Sequence, residues 1–458
     1  MRPFLLLALL LLPLALPGVL PAEDRWFMGT LAGQPLASLH QVDRGLPGGG
    51  RETTTTTLLA MRRSLPGRPE LRLEIRETQV VVEDAQGLVS AFHFDHDENG
   101  TVATAEGTVA GAAIRGTAAR LGRTTPVAID LPAGTRLLGD CAAQTLLVNT
   151  GLAAGATTTF TSLALINGQV TVVRNAVTVR EREGEDLLFD VVPDAMPLPM
   201  RLRLSASGEL RQMTMNLGVM VLDLRPAAGP VALLGAELPP TGLVKSAGPA
   251  LRQGQPNRLR LPPGAPLPAS PFQREAGGLM TLLPESVPEP LSDDERRDLL
   301  AAAPQLELDD AELRAWVAGI TAGLDDDGTK AEHLRLAVRS HITTKDLSKA
   351  DGSALETFRS RQGDCTEHAT LLCAALRIAG IPARIEVGMV YAPDYGGWVG
   401  HAWDSAWIAG RWVHLDSAYP GISRSCYLCL GYPGKVQTGA AMIVQLDRFM
   451  GRTIESVP

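Results

Sequence analysis

The sequence predicts an α+β protein: an all-β N-terminal domain, then a C-terminal domain in which a cysteine-bearing helix packs on an antiparallel sheet. Three observations carry this. Alternating apolar and polar runs, punctuated by Gly, Asn or Pro, recur from residue 23 to about 235. From Ser292 the pattern becomes helical, with capping signals at the segment starts. Strand-like runs return after residue 383, and helices followed by antiparallel strands are the order of an α+β domain. At 458 residues the chain is also too long for one ordinary core, so two or three domains are expected.

Taken in order, residues 1–22 read as an export signal. Arg2 supplies the positive start, Phe4 to Leu16 is apolar apart from Pro13, and Pro21-Ala22 before Glu23-Asp24 is a cleavage point. The rival reading is an uncleaved anchor, which the short, proline-interrupted run disfavours. No cysteine follows the run to take a lipid. After signal removal no membrane span is expected, and the protein is expected to be periplasmic or secreted.

Residues 23–235 form the β-rich domain, with strands such as Glu70–Arg76, Thr78–Glu83, Gln169–Arg174, Leu187–Val192 and Met200–Leu204. Thr53–Thr57 is low in complexity, but threonine suits a strand. A sandwich or an open barrel-like sheet is expected. Residues 236–290 are rich in Pro and Gly and read as an extended connector that partly packs, with short strands at Arg258–Leu261 and Leu279–Leu283. Residues 291–458 form the last domain. Ser292 and Glu295 have capping-box spacing, and Asp309–Ala322 and Thr329–Ile342 are amphipathic helices. Asp325-Asp326-Asp327-Gly328 reads as a helix stop and the next helix's acidic start, not a metal site. Strands follow at Ala383–Tyr391, His401–Ile408 and Trp412–Asp416.

Composition excludes some functions. Apolar residues at 45% with 20% charged residues indicate a folded globular chain. A net charge of −8, with no basic cluster interleaved with aromatics, sets nucleic acid aside as a partner. The five cysteines are Cys141, Cys365, Cys373, Cys426 and Cys429, and an odd count leaves one thiol unpaired if the rest are oxidised. Cys426-Tyr-Leu-Cys429 has redox-motif spacing without the strand-then-helix context, so a local disulfide or two buried thiols is expected. No second ligand pair accompanies it, and no zinc or other metal is expected.

One constellation carries chemistry. Asp364 and Glu367 form a capping box, so a helix should begin at Cys365 and end at Gly380 and Pro382. A first-turn thiol meets unpaired backbone N–H groups and the positive end of the helix dipole, which favours thiolate. Ala369, Leu372, Cys373 and Leu376 share its face and read as core. Ala409-Gly410 is a two-residue hairpin turn, which pairs Trp407 with Trp412 and sets Trp403 opposite Asp416. His401 and Asp416 then share a face as diagonal neighbours, about 6–8 Å apart at Cβ. Asp404 points the other way. His414 lies opposite Ser405 on the His401 face and is a weaker rival base. The expected chemistry is attack by Cys365 on an acyl carbon, with His401 as base and Asp416 orienting the ring. The backbone N–H of Cys365 would serve the oxyanion.

These residues resemble the transglutaminase-like superfamily, relatives of the papain-like cysteine enzymes, over roughly residues 325–420. The motifs are Gly363-Asp364-Cys365, Gly400-His401-Ala402-Trp403 and Leu415-Asp416, joined by Ala379-Gly-Ile-Pro-Ala-Arg384. The layout resembles exported bacterial members with a β-rich N-terminal domain. The resemblance implies Cys365 as nucleophile, His401 as base, Asp416 as orienting residue, and no cofactor. It departs from animal transglutaminases, whose oxyanion Trp lies upstream of the cysteine, because no Trp falls between Trp316 and Cys365. It departs from papain-like proteases, where a Gln stands six positions before the cysteine and this chain has Arg359. Gln362, three before, is a partial substitute, and a second oxyanion donor is unassigned.

Two loops remain. Asp95 to Gly100 with Glu106 matches a calcium-loop spacing, but strands flank it, and a hairpin with Asn99-Gly100 at its tip explains the same residues. Tyr391 to Gly400 is either a lip over the site or an ordinary inter-strand loop. As a lip, Tyr395 and Trp398 would contact substrate, together with Trp403 and Gln362. The expected activity is thiol-dependent cleavage or transfer at an amide bond of a peptide or protein, with hydrolysis slightly favoured because no amine-acceptor site is evident. The alternative is an inactive scaffold or binding module of the cell envelope.

Overall fold

The computed structural model describes residues 23–458 apart from 32, 64–70, 121, 150–152, 167, 196–198, 217–220, 238–242, 264–266, 304, 345–351, 420, 434–444 and 447. The expected export signal lies outside the described residues. The chain divides into two compact units, one reaching Pro239 and one running from Pro240 to Pro458.

The first unit is a single large sheet. Eight antiparallel strands come first: β1 (Glu23–Leu31), β2 (Gln34–Gly45), β3 (Arg51–Arg63), β4 (Leu71–Glu83), β5 (Val89–Glu98), β6 (Thr101–Ala110), β7 (Ala113–Arg120) and β8 (Arg123–Asp130). Helix α1 (Asp140–Asn149) interrupts the run. Then follow β9 (Thr157–Ile166), β10 (Gln169–Val179), β11 (Leu187–Pro193), β12 (Met200–Leu204), β13 (Leu210–Asn216) and β14 (Val221–Ala227). Strands β1 and β14 pair, which joins two meanders into one path with β8 and β9 at its ends. The short β15 (Ala236–Glu237) adds in parallel to β3. The threonine run lies in β3, with Thr53, Thr55 and Thr57 buried and the residues between them facing outward, the period of two that a half-buried strand requires. The unit is therefore built on one continuous open sheet rather than on two separate sheets. It is not all-β: α1 was not anticipated, since a single ten-residue apolar segment carries too little period to separate helix from strand.

The acidic loop is the hairpin between β5 and β6. Asn99 (φ 47°) and Gly100 (φ 85°) both take left-handed conformations, as a two-residue turn demands. Asp97 accepts the Gly100 N–H at 2.7 Å, and His93 bonds Asp95 at 2.9 Å. The carboxylates that matched a calcium loop are thus spread along strands and engaged with their neighbours.

The second unit is α+β. Its strands are β16 (Leu243–Ala247), β17 (Asn257–Arg260), β18 (Gln273–Ala276), β19 (Leu279–Leu282), β20 (Ala383–Ala392), β21 (Gly397–Ile408), β22 (Arg411–Leu415), β23 (Tyr427–Gly431) and β24 (Thr453–Val457). They form one sheet in the order β18-β19-β17-β24-β16-β21-β20-β23, with β22 also on β21. All pairs are antiparallel except β16 with β24. Residues 236–290, expected as a connector with two short strands at 258–261 and 279–283, supply four strands of this sheet, β16 to β19. Helices α2 (Asp293–Leu300), α3 (Ala311–Thr321), α4 (Asp327–His341), α5 (Ala354–Ser360) and α6 (Cys365–Ile378) lie between β19 and β20 in the chain. Ser292 and Glu295 form the capping box of α2, and Asp326 caps α4 by accepting from Thr329 N. Leu313 and Val317 of α3, Leu334 and Val338 of α4, and Leu371, Leu372 and Leu376 of α6 pack against Ala383, Ala406, Ile408 and Leu415 of the sheet.

Candidate active site

Three local structures bring the candidate residues together. The first is the start of α6. Asp364 accepts from Thr366 N at 2.9 Å, and Glu367 accepts from Asp364 N at 2.8 Å, which closes the capping box and leaves Cys365 at the first helical position. Gly363 is required there, because a Cβ on it would lie 2.3 Å from that of Glu367. Cys365 is half-buried, and its N–H has no acceptor within the helix.

The second is the β21–β22 hairpin. Ala409 (φ 49°) and Gly410 (φ 80°) make the turn, and Trp407 pairs with Trp412, Ser405 with His414 and Asp404 with Leu415. This is the register that the turn residues imply. The ladder stops at Leu415, so Asp416 stands just past its end.

The third is a gap. One edge of β21 pairs with β20 along its length. On the other edge β16 takes residues 397–399 and β22 takes residues 404–408. Residues 400–403 therefore have no strand neighbour on that side among the described residues. His401 sits in this gap, where the start of α6 and the turn after Asp416 can both reach it. Ser417 Oγ donates to His368 O of α6 at 3.4 Å, and Arg335 of α4 donates to Asp416 O at 3.1 Å, tying that turn to the helical layer.

The resulting geometry is a chain of hydrogen bonds. His401 Nε2 lies 2.7 Å from Asp416 Oδ2, and both residues are buried. With Nε2 so engaged, Nδ1 is the nitrogen left for the thiol. Burial, the largest single influence, would lower the His401 pKa. The Asp416 carboxylate, and the hydrogen bond and charge of Cys365, outweigh it and hold the imidazole up at about 10. Asp416 also accepts from the N–H groups of Ala418 and Tyr419, each at 2.8 Å, and from Tyr427 OH at 2.8 Å. Burial works against its charge, but His401 and these donors keep it ionised, well below the usual carboxylate range.

Beneath the pair lies a buried network on the same sheet face. Trp403 stacks on His401 with ring centres 6.0 Å apart and donates from Nε1 to Glu386 at 3.0 Å. Glu386 also accepts from Ser405 Oγ at 2.6 Å and pairs with Arg424 at 3.2 Å. Burial opposes the Glu386 charge, and Arg424 and Arg384 more than offset it. Sequence reasoning missed Glu386, Arg424 and Tyr427. A carboxylate in the middle of the apolar run Ala383–Tyr391 was the one available signal, since such a group must be paired.

The other expected residues separate. Trp403 is 1% exposed and Trp398 fully buried, so neither faces a substrate: one backs His401, the other fills the core beside Val244 and Leu259. Tyr395 is 64% exposed, in the tight turn Pro393–Tyr395 between β20 and β21, so the Tyr391–Gly400 segment is a hairpin rather than a long lip. Tyr419 meets the His401 ring edge-on at 5.7 Å, on the turn that follows Asp416. Gln362 is half-buried and bridges to Thr344 through the backbone. His414 is not a rival base. Burial first, then Arg424, push its pKa down to about 3, and it packs between Trp403 and Tyr427. Cys373, Cys426 and Cys429 are buried free thiols. Burial pushes Cys373 up to about 12 and Cys426 to about 11. No group of three or more potential metal ligands occurs among the described residues. No described helix is long and apolar enough to cross a membrane.

Residues 314–417 match the family model of the transglutaminase-like superfamily. No curated protein matches the chain. Among solved structures, a "putative cysteine protease" from Cytophaga hutchinsonii is 15% identical, covering 47% of this chain and 84% of its own, with a TM-score of 0.29. A beta-barrel-like protein of a domain of unknown function from Brucella abortus is 15% identical, covering 46% of this chain and 98% of its own, with a TM-score of 0.34. At these scores the structural likenesses carry no weight.

Proposed function

We propose, from a chain whose residues 314–417 are of the transglutaminase-like superfamily, that it is a thiol enzyme acting on amide bonds of peptides or proteins. The observation that supports this best is the 2.7 Å contact of His401 with Asp416 beside a half-buried cysteine at a helix start. In this reading Cys365 Sγ attacks the acyl carbon, forming the C–S bond while the carbonyl electron pair moves to oxygen. The free N–H of Cys365 stabilises that oxyanion. His401, charged by the thiol's proton, returns a proton to the leaving amine as the C–N bond breaks. Water then attacks the thioester with His401 as base, giving the acid and the thiol. Hydrolysis is the preferred outcome because water needs no acceptor subsite, whereas transfer to an amine does. The proposal carries with it the export reading of residues 1–22, and hence a peptide or protein substrate met in the periplasm or outside the cell.

Alkylation tests it. Cys365 should react with iodoacetamide at mildly acidic pH far faster than a model thiol, read by peptide mass mapping. His401→Ala should slow that reaction by about 100-fold. Equal, slow alkylation of both proteins would favour an inactive scaffold instead.

A further inference from the structure

The motif Cys426-Tyr427-Leu428-Cys429 has the spacing of a redox pair, yet both thiols are buried and Tyr427, one of the two residues between them, reaches the candidate active site. We propose that Tyr427 is a positioning residue: its hydroxyl shares Asp416 Oδ2 with His401 Nε2 and so sets the strength and direction of the His401–Asp416 hydrogen bond. This rests on the proposed thiol chemistry for its purpose, but not for its measurement.

The geometry is specific. Tyr427 is fully buried and donates to Asp416 Oδ2 at 2.8 Å, the oxygen that His401 contacts at 2.7 Å. Its ring is held by Trp403 edge-on at 5.1 Å and by His414 at 4.6 Å, and it lies 5.9 Å from the His401 ring. Its carbonyl accepts from Arg424 Nη1 at 2.7 Å, and Arg424 is in turn paired with Glu386. The strand itself is brought close by Gly388, which pairs with both His401 and Cys429. A Cβ at Gly388 would stand 2.1 Å from Leu428 O and 3.0 Å from the Trp403 ring. The charged or titratable groups facing this cluster are Cys365 of α6, His401 and Asp404 of β21, His414 of β22, Arg335 of α4, Tyr419 after Asp416, Cys426 beside Tyr427, and the Arg424–Glu386 pair.

Two donors on one carboxylate oxygen divide its accepting power, so each bond is weaker than it would be alone. Removing the phenol hydroxyl while keeping the ring should therefore strengthen the bond to His401. The test compares full-length wild type with Tyr427→Phe by nitrogen-15 and proton NMR of labelled histidine, using His401→Ala to assign the resonance. The expected result is a downfield move of the His401 Nε2 proton and a rise of its titration midpoint by about half a unit, with the melting temperature recorded alongside. An unchanged resonance and midpoint, even with a lower melting temperature, would leave Tyr427 a packing residue and overturn the inference. Cys365 alkylation in the same samples keeps the two readings apart. If His401→Ala leaves alkylation unchanged while Tyr427→Phe moves the His401 resonance, the enzymatic reading fails and this one stands.

Discussion

Asp404 shows how one side chain can work against the fold that holds it. It is 1% exposed, lies on the helix-facing side of β21, and neither carboxyl oxygen has a hydrogen-bond partner. Burial foremost, then the Asp416 charge, raise its pKa well above the usual carboxylate value, while Arg377 only partly opposes this. A carboxyl with a raised folded pKa loses stability as pH climbs above its unfolded value near 4, because the folded protein must keep the proton. Asp404→Val should therefore raise the melting temperature at neutral pH by an amount equivalent to about 1–3 kcal/mol, and by less near pH 4. A destabilised Asp404→Val at both pH values would show that the carboxyl is matched to its site. In the His401–Asp416 pair the raised imidazole carries the same pH sign as Asp404, and the lowered carboxylate carries the opposite one. The His401 contribution is complete below about 6.5 and is lost as pH rises toward about 10, and the Asp416 contribution is lost as pH falls below about 4. Subtracting the stability of Asp416→Asn from wild type should give a difference greatest between these limits and shrinking above pH 7. A difference that grew with pH would contradict the assignment of charge to the imidazole.

At the scale of elements, the start of α6 decides where the thiol stands. Gly363→Ala would push a Cβ into Glu367, opening the capping box that fixes Cys365. Melting temperature and Cys365 alkylation should fall together, by more than the roughly 1–2 kcal/mol of left-handed strain expected at Gly380→Ala, where a Cβ meets nothing. Equal effects at the two sites would mean the capping box is not what holds the thiol. Much of this was legible because the signals are local. Asp364 and Glu367 stand three apart, and Ala409-Gly410 fixes the hairpin register that aligns His401 with Asp416. What was not legible depends on strands meeting across the sheet. The Tyr427 hydroxyl reaches Asp416 only because β23 pairs with β20, and no local period announces that partner. Trp398 looked like a loop aromatic because β20 and β21 extend further into their hairpin than the Gly-rich sequence suggested. Helix α5 is seven residues long, too short to show an amphipathic period, although Ser353 and Glu356 do form its capping box.

At the scale of the molecule, the boundary that matters for the site lies before β16, not before α2. Composition alone draws the last domain at about residue 291, since Pro and Gly make residues 236–290 resemble a connector. Those residues instead supply four strands, and β16 pairs with β21 at Val399, two residues from His401. They also reach the strand bearing Tyr427. Gln273 accepts from Cys429 N and donates to Cys429 O, both at 3.0 Å, and Asn257 donates to Ser425 O at 3.0 Å. Val244, Leu259, Phe272, Met280 and Leu282 are all buried in the unit. At about 1.5–3 kcal/mol for each buried apolar side chain, their removal costs roughly 8–15 kcal/mol, as much as the entire stability of an ordinary domain. A chain beginning at residue 240 should unfold cooperatively by circular dichroism and retain the fast alkylation of Cys365. One beginning at residue 291 should show neither. Cooperative melting of the shorter chain would mean that the helices and the β20–β23 strands form a self-sufficient core, and that the four preceding strands lie on it without being needed by it.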